Sequence, residues 1–308
     1  MRVVATRTAG EPQGAPPAES PWRRFAAEFA QSRLALIGLA LLVTVLLIAL
    51  TAPWISPQNP YDLAQLDLLD SKLPPGAHSG TDARTYWLGT DDQGRDMLSG
   101  IFYGLRISLF VGVASTVCAL AIGLVLGLAA AYFGGWVDTA IMRIADIQLS
   151  FPAILIALIL LAVMGQGVDK IIIALITVQW AYYARTVRSS ALVERQKEYV
   201  EAARALALSQ PRIVFRHLLP NCLPPLIVVA TVQVAHAISL EATLSFLGLG
   251  LPITEPSLGL LIANGFQYLL SGKYWISFYP GLALLLTIVS INLVADQLRD
   301  VLNPRLKR

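Results

Sequence analysis

Residues 107–132 read ISLFVGVASTVCALAIGLVLGLAAAY, a run without a single charged side chain. A bilayer core of about 30 Å needs roughly 20 apolar residues at a helical rise of about 1.5 Å, so this stretch alone is long enough to cross a membrane. Its hydrophobicity is continuous instead of alternating, which fits a helix and not a strand of a β-barrel. Five further runs accompany it: Leu34–Ala52, Ile147–Met164, Ile171–Tyr183, Leu223–Leu240 and Pro280–Ala295. The shortest, Ile171–Tyr183, reaches across if Arg185 and Arg188 snorkel from the following turns. The expected fold is all-α and integral to the membrane, with six transmembrane helices.

Composition agrees with that reading. The 308 residues are 56% hydrophobic and only 14% charged, with a mean hydropathy of +0.62, whereas a soluble domain carries about 25% charged residues. Cys118 and Cys222 fall in or beside apolar stretches and read as small hydrophobes, neither a bridge nor a metal pair. The net charge of +3 suggests no nucleic-acid partner. The basic residues are distributed unequally. With the N-terminus inside, 17 of the 23 fall in inward segments and six in outward ones, so the positive-inside rule places both termini in the cytoplasm.

The same topology divides the chain. Residues 1–20, rich in Ala, Gly, Pro and Glu, read as a disordered cytoplasmic tail. Residues 21–52 combine a short amphipathic helix, opened by Ser20 and Pro21 and carrying Trp22, Phe25 and Phe29, with the first membrane anchor; a plain flank to the anchor explains that helix equally well. Residues 53–100 form an extracytoplasmic segment, residues 101–298 a core of five helices, and residues 299–308 a basic cytoplasmic tail. The outer segment 241–279, apolar but punctuated by Gly and Pro, reads as re-entrant or interfacial, with an ordinary external loop as the alternative.

The inward segment 184–220 is the most informative. Its centre, from Glu198 to Leu208, consists of good helix formers. Ser209 offers an N-cap for a second short helix with Pro211 just inside, and Leu219-Pro220 ends it. Two such helices make a knob below the membrane. Its alanines permit close backbone approach, while Glu201 and Arg204 supply polar register. An Ala-rich helix lying on lipid is the other reading of the same residues.

Absent motifs narrow the function. An ion-coupled carrier keeps ionisable groups inside its spans, yet the six apolar runs contain no Asp, Glu, Lys or Arg. Their strong polar groups include Gln179, Gln233, His236 and Asn292, and Glu241 follows at the start of the outer segment. These five are the candidates for lining a solute path, although a lone polar group in a span more often bonds a neighbouring helix. No Gly-x4-Gly-Lys-Ser/Thr loop, Gly-x-Ser-x-Gly turn or His-Glu-x-x-His helix occurs, and no cofactor or metal is called for. Uphill transport would then draw its energy through a contact, and 184–220 is the segment large enough to receive it. The rivals are a passive channel, an ion-coupled carrier, and an intramembrane hydrolase built on His236 and Ser239.

At Glu201-Ala202-Ala203, Ile213 and Leu219-Pro220-Asn221 the chain resembles the inner-membrane permease subunits of bacterial ABC importers. Their cytoplasmic signature is Glu-Ala-Ala, a Gly four residues on, an Ile and a closing Leu-Pro. Ala207 stands where the family usually has Gly. The block Leu88-Gly89-Thr90-Asp91-Asp92-Gln93-Gly94-Arg95-Asp96, the pattern at Ser150-Phe151-Pro152 and the run Leu244–Gly250 resemble the C-type permeases of dipeptide, oligopeptide and nickel importers. The resemblance implies a type I importer permease fold and coupling helices that dock on an ATPase. The dock it implies comprises Glu201, Ala202, Ala203, Arg204, Ala207, Leu208, Ile213, Leu219 and Pro220. It further implies a homologous second permease, two ATPase subunits, an extracytoplasmic solute-binding protein, a location in the bacterial cytoplasmic membrane, and translocation of a peptide-like or similar small solute by alternating access.

Overall fold

The computed structural model describes residues 21–62, 66–80 and 84–302. The expected tail 1–20, with the proposed cap Ser20, and the final basic residues 303–308 lie outside them. The described helices are α1 (Pro21–Phe29), α2 (Arg33–Ile55), α3 (Met97–Phe133), α4 (Gly135–Ser150), α5 (Ala153–Met164), α6 (Val168–Arg195), α7 (Glu198–Ala205), α8 (Gln210–Ile213), α9 (Leu219–Phe246), α10 (Leu258–Phe266) and α11 (Trp275–Leu302). A two-residue antiparallel ladder pairs β1 (Ala77–His78) with β2 (Thr85–Tyr86).

The most extensive helix pairing is α3 against α6, and glycine makes it possible. Gly123 and Gly127 stand four residues apart on one face of α3. A Cβ on Gly127 would lie 2.6 Å from the Ala184 carbonyl oxygen and 2.7 Å from Val187 Cβ; one on Gly123 would lie 2.7 Å from the Trp180 carbonyl oxygen. In lipid, where apolar surfaces gain little by meeting, such close backbone approach is what holds helices together.

Four expectations from the sequence need correction. Residues 147–164 are not one straight helix: α4 and α5 are bent by 91° at Phe151-Pro152, with Phe151 extended at φ −95°, ψ 144°, as a residue before proline prefers. Arg185 and Arg188 are not free cations. They pair with Asp146 (2.6 Å) and Asp138 across the α4–α6 contact. The run ending at Leu240 continues as helix to Phe246 and carries Glu241 inside it, so Glu241 does not begin an outer loop. Nor does Leu219-Pro220 end a helix. From α8 the chain widens into a π turn over Val214–Leu218, where Leu219 N–H bonds the Val214 carbonyl, and then runs on as α9. Pro220 lacks the N–H for an ordinary i−4 bond and its ring crowds the carbonyl there; the wider turn accommodates both.

Among the described residues, four helices are long and apolar enough to cross a membrane: α2, α3, the continuous Gln210–Phe246 helix and α11, with the bent α4–α5 pair a fifth if it counts as one span. By composition α6 does not qualify, because its second half is charged. Ile171, Ala174, Leu175 and Val178 are nevertheless fully or nearly fully buried in its first half. Within 241–279, α10 buries Leu258, Gly259, Leu260 and Leu261 against its neighbours α9 and α11, and Ser257 caps it by accepting from Leu260 N–H at 3.2 Å.

Candidate functional site

The knob takes its shape from the end of α7. Leu208 N–H donates to the Ala203 carbonyl (3.2 Å) and Ala207 N–H to the Arg204 carbonyl (2.9 Å), the two crossed bonds of a Schellman turn. Ala207 sits at φ +52°, where an L-residue's Cβ crowds the following carbonyl. Below the turn, Val200, Ala203, Ile213 and Leu218 form a small buried core with Leu208 and Val214 packed on it. Glu201, Ala202, Arg204, Ala207 and Pro220 remain exposed, and Leu219 is half-buried. Two of the expected dock residues, Ala203 and Ile213, are therefore interior. They hold the elbow together and do not form its face.

The sequence reading missed the residues that fix this elbow to the bundle. Glu194 accepts from Lys197 Nζ (2.5 Å) and from the Tyr199 hydroxyl (2.6 Å). Asn221 Nδ2 donates to that hydroxyl (3.2 Å) and to the His217 carbonyl (2.7 Å), tying α7 to α9. Burial, and then the Glu194 carboxylate, hold the Tyr199 phenol well above its ordinary range. Arg195 Nη1 donates to the Ala131 carbonyl near the end of α3 (3.0 Å). The spacing of Glu194, Lys197 and Tyr199 was visible in the chain, but the partners on α3 and α9 were not.

The five path candidates differ in burial and in their partners. Gln179 is buried and accepts from Thr116 Oγ1 at 3.4 Å; Gln233 is buried, while His236 and Asn292 are exposed. Glu241 is wholly buried, its two oxygens accepting from Ser108 (2.9 Å) and Ser245 (2.8 Å). A carboxylate thus does lie inside a spanning helix, contrary to the expectation for the apolar runs. Two hydroxyl donors make its burial tolerable.

At the opposite end of the bundle, the described residues between α2 and α3 build a small lobe around two aspartates. Asp70 accepts from Ser79, from Gly80 N–H (3.0 Å) and from the Tyr86 hydroxyl (2.9 Å). Asp91 Oδ1 accepts from the N–H groups of Gln93 and Arg95 (both 2.8 Å). Arg95 Nη2 reaches the Ile253 carbonyl (2.9 Å) and the Trp275 indole donates to the Thr90 carbonyl (3.2 Å). The block 88–96 is therefore a clasp between the lobe, the segment before α10 and α11. Asp96 then caps α3, accepting from Ser99 N–H at 2.8 Å.

A coupling-sized elbow at one end, a clasped lobe at the other and spanning helices between them describe a transport subunit. The family model described as binding-protein-dependent transport system inner membrane component matches residues 123–308. The chain belongs to this family. A second model, the N-terminal membrane domain of oligopeptide transport permease C, matches residues 20–75. Among similar proteins are the dipeptide transport system permease protein of Alkalihalophilus pseudofirmus, 37% identical with 96% of each chain covered, and the di/tripeptide transport system permease protein of Pseudomonas aeruginosa, 38% identical over 94% of this chain and 93% of that one. The permease shares its fold with the methionine ABC transporter MetNI in an inward-facing form, at TM-score 0.54 and 23% identity, over 67% of this chain and 98% of that one. It is a multi-pass inner-membrane subunit of an ABC importer, with the type I permease fold.

Proposed function

We propose that this permease carries a peptide-like or similar small solute across the bacterial cytoplasmic membrane by alternating access, with both termini in the cytoplasm and six spans. A homologous second permease completes the path, two ATPase subunits dock on the elbow, and an extracytoplasmic binding protein delivers solute to the lobe end. The relatives named for dipeptides and di/tripeptides support the solute class. The single observation that carries the mechanism is the elbow itself: a Schellman-closed helix on its own small core, presenting Glu201, Ala202, Arg204 and Ala207 outward. Small side chains there admit a partner's backbone, and the two charges set register. Closure of the ATPases would push this rigid element, and α9, continuous with it, would pass the motion toward the lobe end.

The test uses the exposed Ala202. In Ala202→Trp the membrane helices should still fold, the ATPase subunits should be lost on co-purification, and uptake of dipeptide into proteoliposomes should fall to background. Full uptake in that variant would sink the docking role. Uptake against a gradient by the purified chain alone would sink the ATP-driven reading.

A further inference from the structure

A groove of about 600 Å3 lies between α2, α3 and the lobe-end segments, with Val168 of α6 at its edge. Its wall is apolar, and Leu50, Phe110 and Val113 are 68%, 59% and 46% exposed in the isolated chain. Its mouth carries Tyr61, Arg106 and Glu255, with Tyr61 set edge-on against Tyr103 at 5.2 Å between ring centres. Neither the Arg106 nor the Glu255 side chain makes an ion pair or hydrogen bond among the described residues, and Glu255 Oε2 is buried without a partner.

The polarity of this groove runs in one direction. Arg106 directly precedes the charge-free run 107–132, so it marks where α3 leaves the hydrocarbon. Val113 lies seven residues deeper, about 10 Å along the axis. Trp54 and Trp87, 82% and 69% exposed at the lobe end, suit the interfacial level where such rings gather. Charged above and apolar below, within one leaflet, is the profile of a phospholipid. A peptide in the same place would leave its amides unpaired along the wall, and an apolar helix would cover both charges without answering them. Opposite charges at the mouth select a headgroup that itself carries both signs.

We infer that this groove binds one phospholipid with a primary-amine headgroup, its phosphate at Arg106, its ammonium at Glu255, and an acyl chain along Leu50, Phe110 and Val113. The site is independent of the coupling elbow and of which solute is carried.

The test takes the purified transporter in nanodiscs of phosphatidylethanolamine and phosphatidylglycerol in equal parts, extracts it into mild detergent, and counts retained lipid by native mass spectrometry. Phosphatidylethanolamine should be retained over phosphatidylglycerol, and Arg106→Gln or Glu255→Gln should each cut that retention about fivefold. Arg106→Lys should retain the lipid, and Val113→Trp, on the exposed wall, should expel it with both charges intact. These last two decide the matter if a glutamine variant does not fold, with thermal unfolding as the control. Three results would overturn the proposal: phosphatidylglycerol retained as well as phosphatidylethanolamine and indifferent to Glu255→Gln; displacement of the lipid by added dialanine; or a Val113→Cys cross-link to the second permease at full yield with no lipid retained.

Discussion

Ala207 shows how much one methyl can carry. The turn that ends α7 needs a residue at positive φ, and the protein places an alanine at +52° where glycine would adopt that conformation freely. Both crossed hydrogen bonds are nevertheless made, so the elbow keeps its shape against the strain. Ala207→Gly should therefore stabilise the elbow by about 1 kcal/mol, read as slower amide exchange over residues 198–206; faster exchange there would contradict the strain. In the lobe, burial pushes the Asp91 carboxyl up to about 6. A folded-state value above the unfolded one, about 3.9, means that the folded lobe favours the protonated form. That contribution is complete below about pH 4 and is lost as pH rises through about 6, a swing of about 3 kcal/mol. Asp96 is raised by burial too and adds in the same sense. Asp70 acts oppositely: burial alone would raise it, but bonds from Gly80, Ser79 and Tyr86 outweigh burial and lower it, so its contribution falls away only in stronger acid. Amide exchange over residues 85–96, corrected for intrinsic rates, should slow from pH 8 to pH 5, and Asp91→Asn should flatten that dependence. Protection that instead rises with pH would show that Asp91 is better stabilised as a carboxylate than its burial implies.

Helix pairing fails where side chains are added to the α3–α6 contact. In Gly127→Val the new atoms meet the Ala184 carbonyl and Val187, backbone and branched carbon that cannot swing aside, and overpacking of this kind costs about 1–3 kcal/mol. Thermal unfolding in detergent should drop accordingly, whereas Gly281→Ala, where nothing lies within 4 Å of the added carbon, should leave it unchanged. Equal melting of the two variants would mean that α3 and α6 are not held by close approach. At this scale the sequence was a good guide to where helices run and a poor one to where they stop. The run 107–132 falls inside α3, and Ser209-Pro211 does open α8. Glu241 looked like the end of a span because a bare carboxylate does not belong in lipid; Ser108, 133 residues away, answers it, and that partner is invisible in a linear reading. Arg185 and Arg188 looked like snorkelling groups for the same reason, since Asp146 and Asp138 are brought to them only by the bend at Phe151-Pro152. Pro152 itself announced that bend, and the apolar run was read through it.

For the molecule as a whole, the coupling motif could be read in the sequence as a surface, but not divided into face and filling. Ala202 and Ala203 are neighbours of identical type; the helical rotation of α7 sends the first to solvent and the second onto Val200, Ile213 and Leu218. The same rotation lets a rigid elbow rest on the long helix that begins at Gln210 and ends at Phe246, so one element joins the elbow to Glu241 and to the turn before α10. If that rod transmits the push, a flexible joint within it should uncouple the two ends without releasing either. Ala230→Gly with Thr231→Gly places such a joint mid-helix, away from both the elbow and Glu241, at a cost of about 1 kcal/mol per residue. In the reconstituted transporter the ATPase subunits should remain bound and continue to hydrolyse ATP, while the number of ATP molecules spent per solute imported rises severalfold. An unchanged ratio would show that α9 does not carry the motion, leaving the α6 path through Arg195 and Arg188 as the route from elbow to bundle.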